Sequence, residues 1–424
     1  MIKLSSGFKK TIYTSGINFI FRLFGLAISF ICTLVISKFF GFTTFGNYSL
    51  IFALSQTIAL LFCLGIPNSL IQIIGNTLLN EDQSKALLKT GLKTTLVISI
   101  IPVVVLFFGK NFISYYFFNN IGLSNYFLTA AYSIPFLIVH EVMLFYFLAT
   151  KKFMPYNFCM FVLPNLLFIT FLVIAKYLQL GGFWVFLSFT AGVCITVVVE
   201  LGIVFFKKYK PFPAVTQPRK LLKIASPMLI SGFFLMLLTH INVIMLGILT
   251  TEKQVGIYSI AAKVANLGFL IIVSISTIIS PKMAELYGRK DMSGFKILIN
   301  NSTRLISLLT LPIVAIIIIF SSDILQLWGK EATQGSLALI IISVGVLISA
   351  VFGNVDQILN MSNNQHILQN ITVCSLLVNV AFNFVLIPKY GIEGAAISSL
   401  ITNISINVLC LYFIKAKLGF YTLF

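Results

Sequence analysis

Long apolar runs alternate with short polar breaks along almost the whole chain. Runs such as Leu92–Phe108 and Leu305–Phe320 are too long and continuous for half-buried strands, so they predict helices. A membrane span needs about 20 mostly apolar residues. Twelve segments qualify: Ser15–Ile36, Gly46–Leu64, Leu92–Phe108, Tyr126–Ala149, Tyr156–Ala175, Phe183–Phe206, Pro227–Leu249, Gly256–Ile279, Ser302–Phe320, Ser336–Leu359, Ile367–Ile387 and Gly394–Ile414. In hydrocarbon only helices or a closed barrel satisfy their own backbone, and a barrel would show short alternating strands. The pattern therefore predicts an all-α integral membrane protein with twelve transmembrane helices.

The two halves echo each other at an offset near 210. Gly46-Asn47-Tyr48-Ser49 returns as Gly256-Ile257-Tyr258-Ser259, and Pro102 returns as Pro312. Gln56 aligns with Asn266, Lys176-Tyr177 with Lys389-Tyr390, and Gly182 with Gly394. Six spans per half place both halves the same way up, a parallel repeat. The expected organisation is a six-helix bundle over 1–206, a basic proline-containing linker over 207–223, and a second six-helix bundle over 224–424. Two such bundles around a central cavity suit alternating access.

Composition agrees with lipid as the solvent. Hydrophobic residues make up 58% of the chain and charged residues 9%, with 42 Phe and a mean hydropathy of +1.02. Soluble domains carry about 25% charged residues. The net charge of +18 could suggest nucleic acid, but its placement argues for orientation instead. Counting Lys93, at the very start of span three, with the loop before it, twenty of the 29 Lys and Arg fall on the N-terminal side of the span map, six on the other side, and three within spans. The positive-inside rule then predicts cytoplasmic termini, with attraction of basic loops to membrane lipids as a secondary effect. Trp184 and Trp328 fall at outer span ends, where amphipathic rings favour the interface. Met1–Thr14 leads into span one with no small-residue cleavage site, so span one reads as retained. The six cysteines show no metal-ligand spacing and read as small hydrophobes.

Polar residues within spans are costly and mark cavities or helix pairs. Span one carries Ser15, Asn18, Arg22, Gly25, Ser29 and Thr33 at helical spacing on one face. Span eight carries Ser259, Lys263, Asn266, Ser274 and Thr277. Each stripe holds one cation, and a cation lining a cleft suits an anionic headgroup such as a phosphate or pyrophosphate. The candidate substrate-binding residues are Arg22, Lys263, Asn18, Asn266, Gln56 and Arg304. Arg22 and Lys263, each about two turns from a span end, suit a cavity or snorkelling; Arg304, within a turn of the inner end, suits snorkelling better. Glu141, beside His140, is the deepest acid. Glu200 and Asp356 lie nearer the cytoplasmic ends, and His240 falls within span seven. Glu141, Asp356 and His240 are candidates for ion coupling, although a carboxylate could equally neutralise Arg22 or Lys263. Asn379 and Asn383 of span eleven suit bonding between helices. No P-loop, GxSxG or HExxH motif occurs, so no catalytic residue, metal or cofactor is expected.

The stretch Lys38-Phe39-Phe40-Gly41-Phe42-Thr43-Thr44-Phe45-Gly46-Asn47-Tyr48-Ser49 resembles the first-loop motif of bacterial polysaccharide flippases, with Lys38 for Arg and without the usual Pro-Glu. Val255-Gly256-Ile257-Tyr258-Ser259-Ile260-Ala261-Ala262-Lys263 is similar to the matching element after span seven. Pro388-Lys389-Tyr390-Gly391-Ile392-Glu393-Gly394-Ala395-Ala396 is similar to the family signature before the last span. The resemblance is to the O-antigen flippases of the multidrug/oligosaccharidyl-lipid/polysaccharide exporter superfamily. It implies a multi-pass protein of the bacterial inner membrane that moves an undecaprenyl-diphosphate-linked oligosaccharide to the outer leaflet. A polysaccharide polymerase and a chain-length regulator in the same membrane become candidate partners. A multidrug cation antiporter of the same superfamily would want acids in spans one, two, seven and eight, which have none. A membrane glycosyl polymerase or ligase would want a larger outer loop than Gly109–Asn125. A major-facilitator carrier would show a different loop from Asn80–Lys85.

Overall fold

The computed structural model describes residues 6–77, 79–206 and 218–422. Every regular element among them is helical. Much of the basic linker expected over 207–223, including Lys207, Lys208 and Lys210, lies outside the described residues. The chain separates into two compact units, Met1–Met236 and Leu237–Phe424.

Unit 1 holds α1 (Ser6–Phe40), α2 (Phe42–Phe62), α3 (Ile66–Thr77), α4 (Glu81–Phe118), α5 (Ser124–Ala149), α6 (Phe153–Asn157), α7 (Leu163–Tyr177), α8 (Phe183–Phe205) and the first part of α9 (Pro218–Leu249). At its centre α5 packs against α2, α3, α4 and α8. The most apolar stretch of α5 is 61% buried, against 17% for that of α4. α4 thus turns most of its apolar surface outward, as a helix solvated by lipid does.

Unit 2 holds the rest of α9, then α10 (Glu252–Ala265), α11 (Phe269–Gly288), α12 (Met292–Ile319), α13 (Ser321–Gln326), α14 (Ser336–Phe352), α15 (Val355–Met361) and α16 (Gln365–Leu418). Its central helix is α14, packed against α10, α12 and α16.

Among the described residues eleven helical stretches are long and apolar enough to cross a membrane. One of them is α16, with 54 residues. At 1.5 Å per residue it would run about 80 Å, well over twice the roughly 30 Å hydrocarbon core. Gly391 breaks it with φ 56° and ψ −126°, and Pro388 stands just before the break. α16 therefore supplies both expected spans eleven and twelve, and the total is twelve.

The internal repeat is visible in the elements. α4 follows the N-cap Asn80, and α12 follows the N-cap Asp291. Pro102 and Pro312 sit inside these two helices. A 3₁₀ turn precedes each central helix, Ile121–Leu123 before α5 and Lys330–Gly335 before α14. A Cβ at Gly182 would collide with the Thr44 hydroxyl, and one at Gly394 with the Leu386 carbonyl. Both repeated glycines are thus explained by close approach.

Two expectations change. Span eight is not one helix: it breaks over 266–268 into α10 and α11. Trp328 is only 4% exposed, so its ring packs inside unit 2 rather than at an interface. Trp184, 42% exposed, stays compatible with an interfacial role.

Candidate functional site

The polar stripe of α1 meets the segment leading into α7. Pro164 has no N–H to give the Met160 carbonyl, and its ring crowds that carbonyl. The backbone there widens into a π turn over Phe158–Val162. Such turns are uncommon and recur at functional sites. Gly25 is buried against this turn, and a Cβ in its place would collide with the Phe161 carbonyl. One turn earlier, the Asn157 amide donates to the Asn18 carbonyl oxygen. Between these two contacts stands Arg22, half-buried, its guanidinium 5.9 Å from the centre of the Phe161 ring. No carboxylate among the described residues forms an ion pair with Arg22. Asn18 and Gly25 thus fix α1 on the π turn, and Arg22 lies between them as a cation over an aromatic face. The side chain of Ser15 lies outside the described set.

The other candidates are spread over both units. Gln56 is half-buried on α2 in unit 1. Lys263 is half-buried in the last turn of α10, where a cation complements the helix dipole. Asn266 caps the C-terminus of α10 and is exposed. Because the chain breaks just beyond it, Ser274 and Thr277 belong to α11, and the stripe read on span eight is not one helix face. Arg304 is exposed on α12 while its neighbour Thr303 is buried. Arg304 therefore faces away from the core of unit 2, as a snorkelling cation does.

Among the acids, Glu141 is half-buried on α5. Asp356 falls on the short α15 beyond the Gly353–Asn354 break; it is exposed and accepts from Gln357 Nε2 at 3.3 Å. His240 is half-buried on α9. The pair that sequence reasoning missed is His140 with Glu200. Glu200 on α8 is fully buried, and its Oε1 lies 2.9 Å from His140 Nδ1 on α5. Its Oε2 has no hydrogen-bond partner among the described residues. The available signal was an acid set in the run Val197-Val198-Val199-Glu200-Leu201, which demands a buried partner.

Unit 2 carries polar groups of a different kind. Asn383 Nδ2 donates to Asn242 Oδ1 and to Asn379 Oδ1, both at 2.8 Å. Asn379 in turn donates to Thr402 Oγ1 at 2.9 Å. Tyr258, the repeat partner of Tyr48, shares hydrogen bonds with Asn242 and Ser399. Tyr48 instead stacks among rings, 5.4 Å from Phe168 and 5.9 Å from Phe52.

The family model described as "Polysaccharide biosynthesis protein" matches residues 8–287. This chain belongs to that family. The MatE model matches residues 227–385. Among curated relatives, the probable low-salt glycan biosynthesis flippase Agl15 of Haloferax volcanii is 28% identical over 171 residues, 40% of this chain and 36% of that protein. The capsular polysaccharide biosynthesis protein CapF of Staphylococcus aureus is 29% identical over 180 residues, 42% of this chain and 45% of that protein. The probable multidrug resistance protein NorM of Bacillus licheniformis is 25% identical over 214 residues, 48% and 47% of the two chains. The chain thus spans under half the length of each of these relatives. Among solved structures, the lipid II flippase MurJ in an inward closed conformation aligns with a TM-score of 0.78 at 16% identity, covering 94% of this chain and 87% of that one. An inward-facing MATE family multidrug transporter aligns at 0.76 and 15% identity, covering 95% and 98%. At these identities the structural likeness speaks for the fold. The chain is a multi-pass membrane protein of the polysaccharide biosynthesis protein family.

Proposed function

We propose that this protein flips a lipid-linked oligosaccharide across the membrane. The finer reading is an undecaprenyl-diphosphate-linked repeat unit, carried by alternating access from the inner to the outer leaflet of the bacterial inner membrane. Its purpose would be the assembly of O-antigen or another surface polysaccharide. Family membership supports the substrate class. The observation that carries the site is Arg22, a half-buried cation with no ion-pair partner among the described residues, set over Phe161. A planar guanidinium engages two phosphate oxygens at once, and the partly dry surroundings strengthen that contact.

The multidrug-antiporter reading draws on the MatE match and on the acids of unit 1. Glu200 is fully buried and already paired with His140. A carboxylate in that position is closed to a drug-sized cation, while Glu141 of the same unit is only half-buried and is the acid on which the antiporter reading rests.

Arg22→Ala should abolish surface polysaccharide while protein remains in the membrane, and Arg22→Lys should restore only part of it because a lysine lacks the bidentate fork. Surface polysaccharide blotting beside membrane immunoblots checks both. Normal polysaccharide in Arg22→Ala would sink the assignment.

A further inference from the structure

We propose that the His140–Glu200 pair is the group through which unit 1 binds and releases a proton during transport. Glu200 is fully buried, with one oxygen bonded to His140 and the other unpartnered. A buried ionised carboxylate with an orphaned oxygen is costly, and adding a proton removes that cost. With a neutral imidazole donating to the Glu200 carboxylate, the pair carries one negative charge. One proton from solution then forms a new O–H or N–H bond within the pair, and its net charge becomes zero. Release of that proton restores the first state. No oxidant, metal or co-reactant is needed.

The pair does not stand alone. Glu141, next to His140 on α5, interacts electrostatically with both members. Cys159 of the π turn interacts electrostatically with Glu200, and Cys63 at the end of α2 with Glu141. Tyr156 of α6 interacts electrostatically with both Glu141 and Arg22. Glu81 and Lys85 at the start of α4 are paired with each other at 3.5 Å, and Glu81 with Lys152 at 3.1 Å. Arg22 is a cation of the same unit that forms no ion pair among the described residues. When Arg22 is taken by an anionic headgroup, the pair gains most from a proton. Proton and substrate thereby favour each other's binding, and the linkage is reciprocal. This coupling rests on the reading of Arg22 above; the protonation of the pair does not.

Two measurements keep the two readings apart. In the first, infrared spectra of the purified full-length protein are recorded through a pH titration, without substrate. The expected result is a buried carboxylic-acid band that titrates in the wild type, is lost in Glu200→Gln, and persists in Glu141→Gln. His140→Gln, which leaves Glu200 in place, should move the midpoint by about one pH unit or more. A band that survives in Glu200→Gln, or a midpoint unmoved by His140→Gln, would overturn the proposal. In the second, flipping of a polyprenyl-diphosphate disaccharide probe is followed in proteoliposomes under an imposed pH gradient. Wild-type flipping should respond to the gradient, and flipping by Glu200→Gln should not. A response that persists in the variant would also overturn it. Failure of the wild type to flip the probe would count against the substrate reading alone, and the infrared band would still decide the pair.

Discussion

The interiors of the two units are polar in different ways. Unit 1 carries ionisable groups in its interior: Glu200, fully buried, against half-buried His140, with half-buried Glu141 and Arg22 in the same unit. Unit 2 buries neutral amides and hydroxyls: Asn242, Asn383, Asn379 and Thr402 in one chain, and Ser349, Asn403 and Asn407 in another. A neutral network loses its hydrogen bonds when it moves but gains no charge, so it suits a strut. A buried ionisable pair changes its free energy with every proton and suits a switch. On these grounds the amide network of unit 2 suits fixed helix packing, and the buried pair of unit 1 suits charge-dependent chemistry.

The largest effect expected from this contrast lies in unit 2. Asn383→Leu removes the donor shared by Asn242 and Asn379 and leaves two buried oxygens unpaired. Each costs roughly 1–3 kcal/mol, so a loss of about 3 kcal/mol is expected. Thermal unfolding in detergent should drop accordingly, and polysaccharide export per folded molecule should hold. If export per folded molecule collapses while stability holds, the amides belong to the working site and the contrast breaks.

A smaller effect sharpens the role of α1. Gly25→Ala places a methyl group against the Phe161 carbonyl. Overpacking of this kind costs about 1–3 kcal/mol and pushes α1 off the π turn. Because Arg22 stands between Asn18 and Gly25, export should fall more than the melting temperature predicts. Export reduced only in proportion to folded protein would make the contact mere packing. Measuring both quantities on the same membrane preparations separates the outcomes.

Much of this was legible in the sequence, for physical reasons. Span count follows from apolar run length, which the bilayer thickness fixes. The α1 face was readable because Asn18, Arg22 and Gly25 lie on one unbroken helix, where spacing alone sets the face. The span-eight stripe failed for the converse reason: the break over 266–268 resets the phase, so Lys263 and Thr277 share no face by spacing. Asn379 and Asn383, four apart, were readable as helix-bonding amides, and they do bond to Asn242 and Thr402. His140 and Glu200 lie 60 residues apart on α5 and α8. No local period carries their meeting, because it depends on which faces of two helices pack together.

The smallest expected effect uses the repeat itself. Asn80 caps α4, accepting from Gln83 N–H at 2.8 Å, and Asp291 caps α12, accepting from Gly294 N–H at 2.9 Å. The two caps fill equivalent places, yet only one can titrate. The hydrogen bonds from Gly294 and Ser293 hold the Asp291 carboxyl below the usual aspartate range. A depressed folded value means that this cap contributes its full stability above the unfolded pKa, about 3.9, and loses it as pH falls through the folded value. Asn80→Ala should therefore lower the melting temperature by an amount independent of pH, equivalent to about 1 kcal/mol. Asp291→Ala should lower it near neutral pH and progressively less as the medium is acidified below about pH 4. Melting curves of both variants between neutral and acid pH make the comparison. Parallel pH dependence in the two would mean that the charge of Asp291 adds nothing to its cap, and that the repeated helix starts are equivalent in chemistry as well as in position.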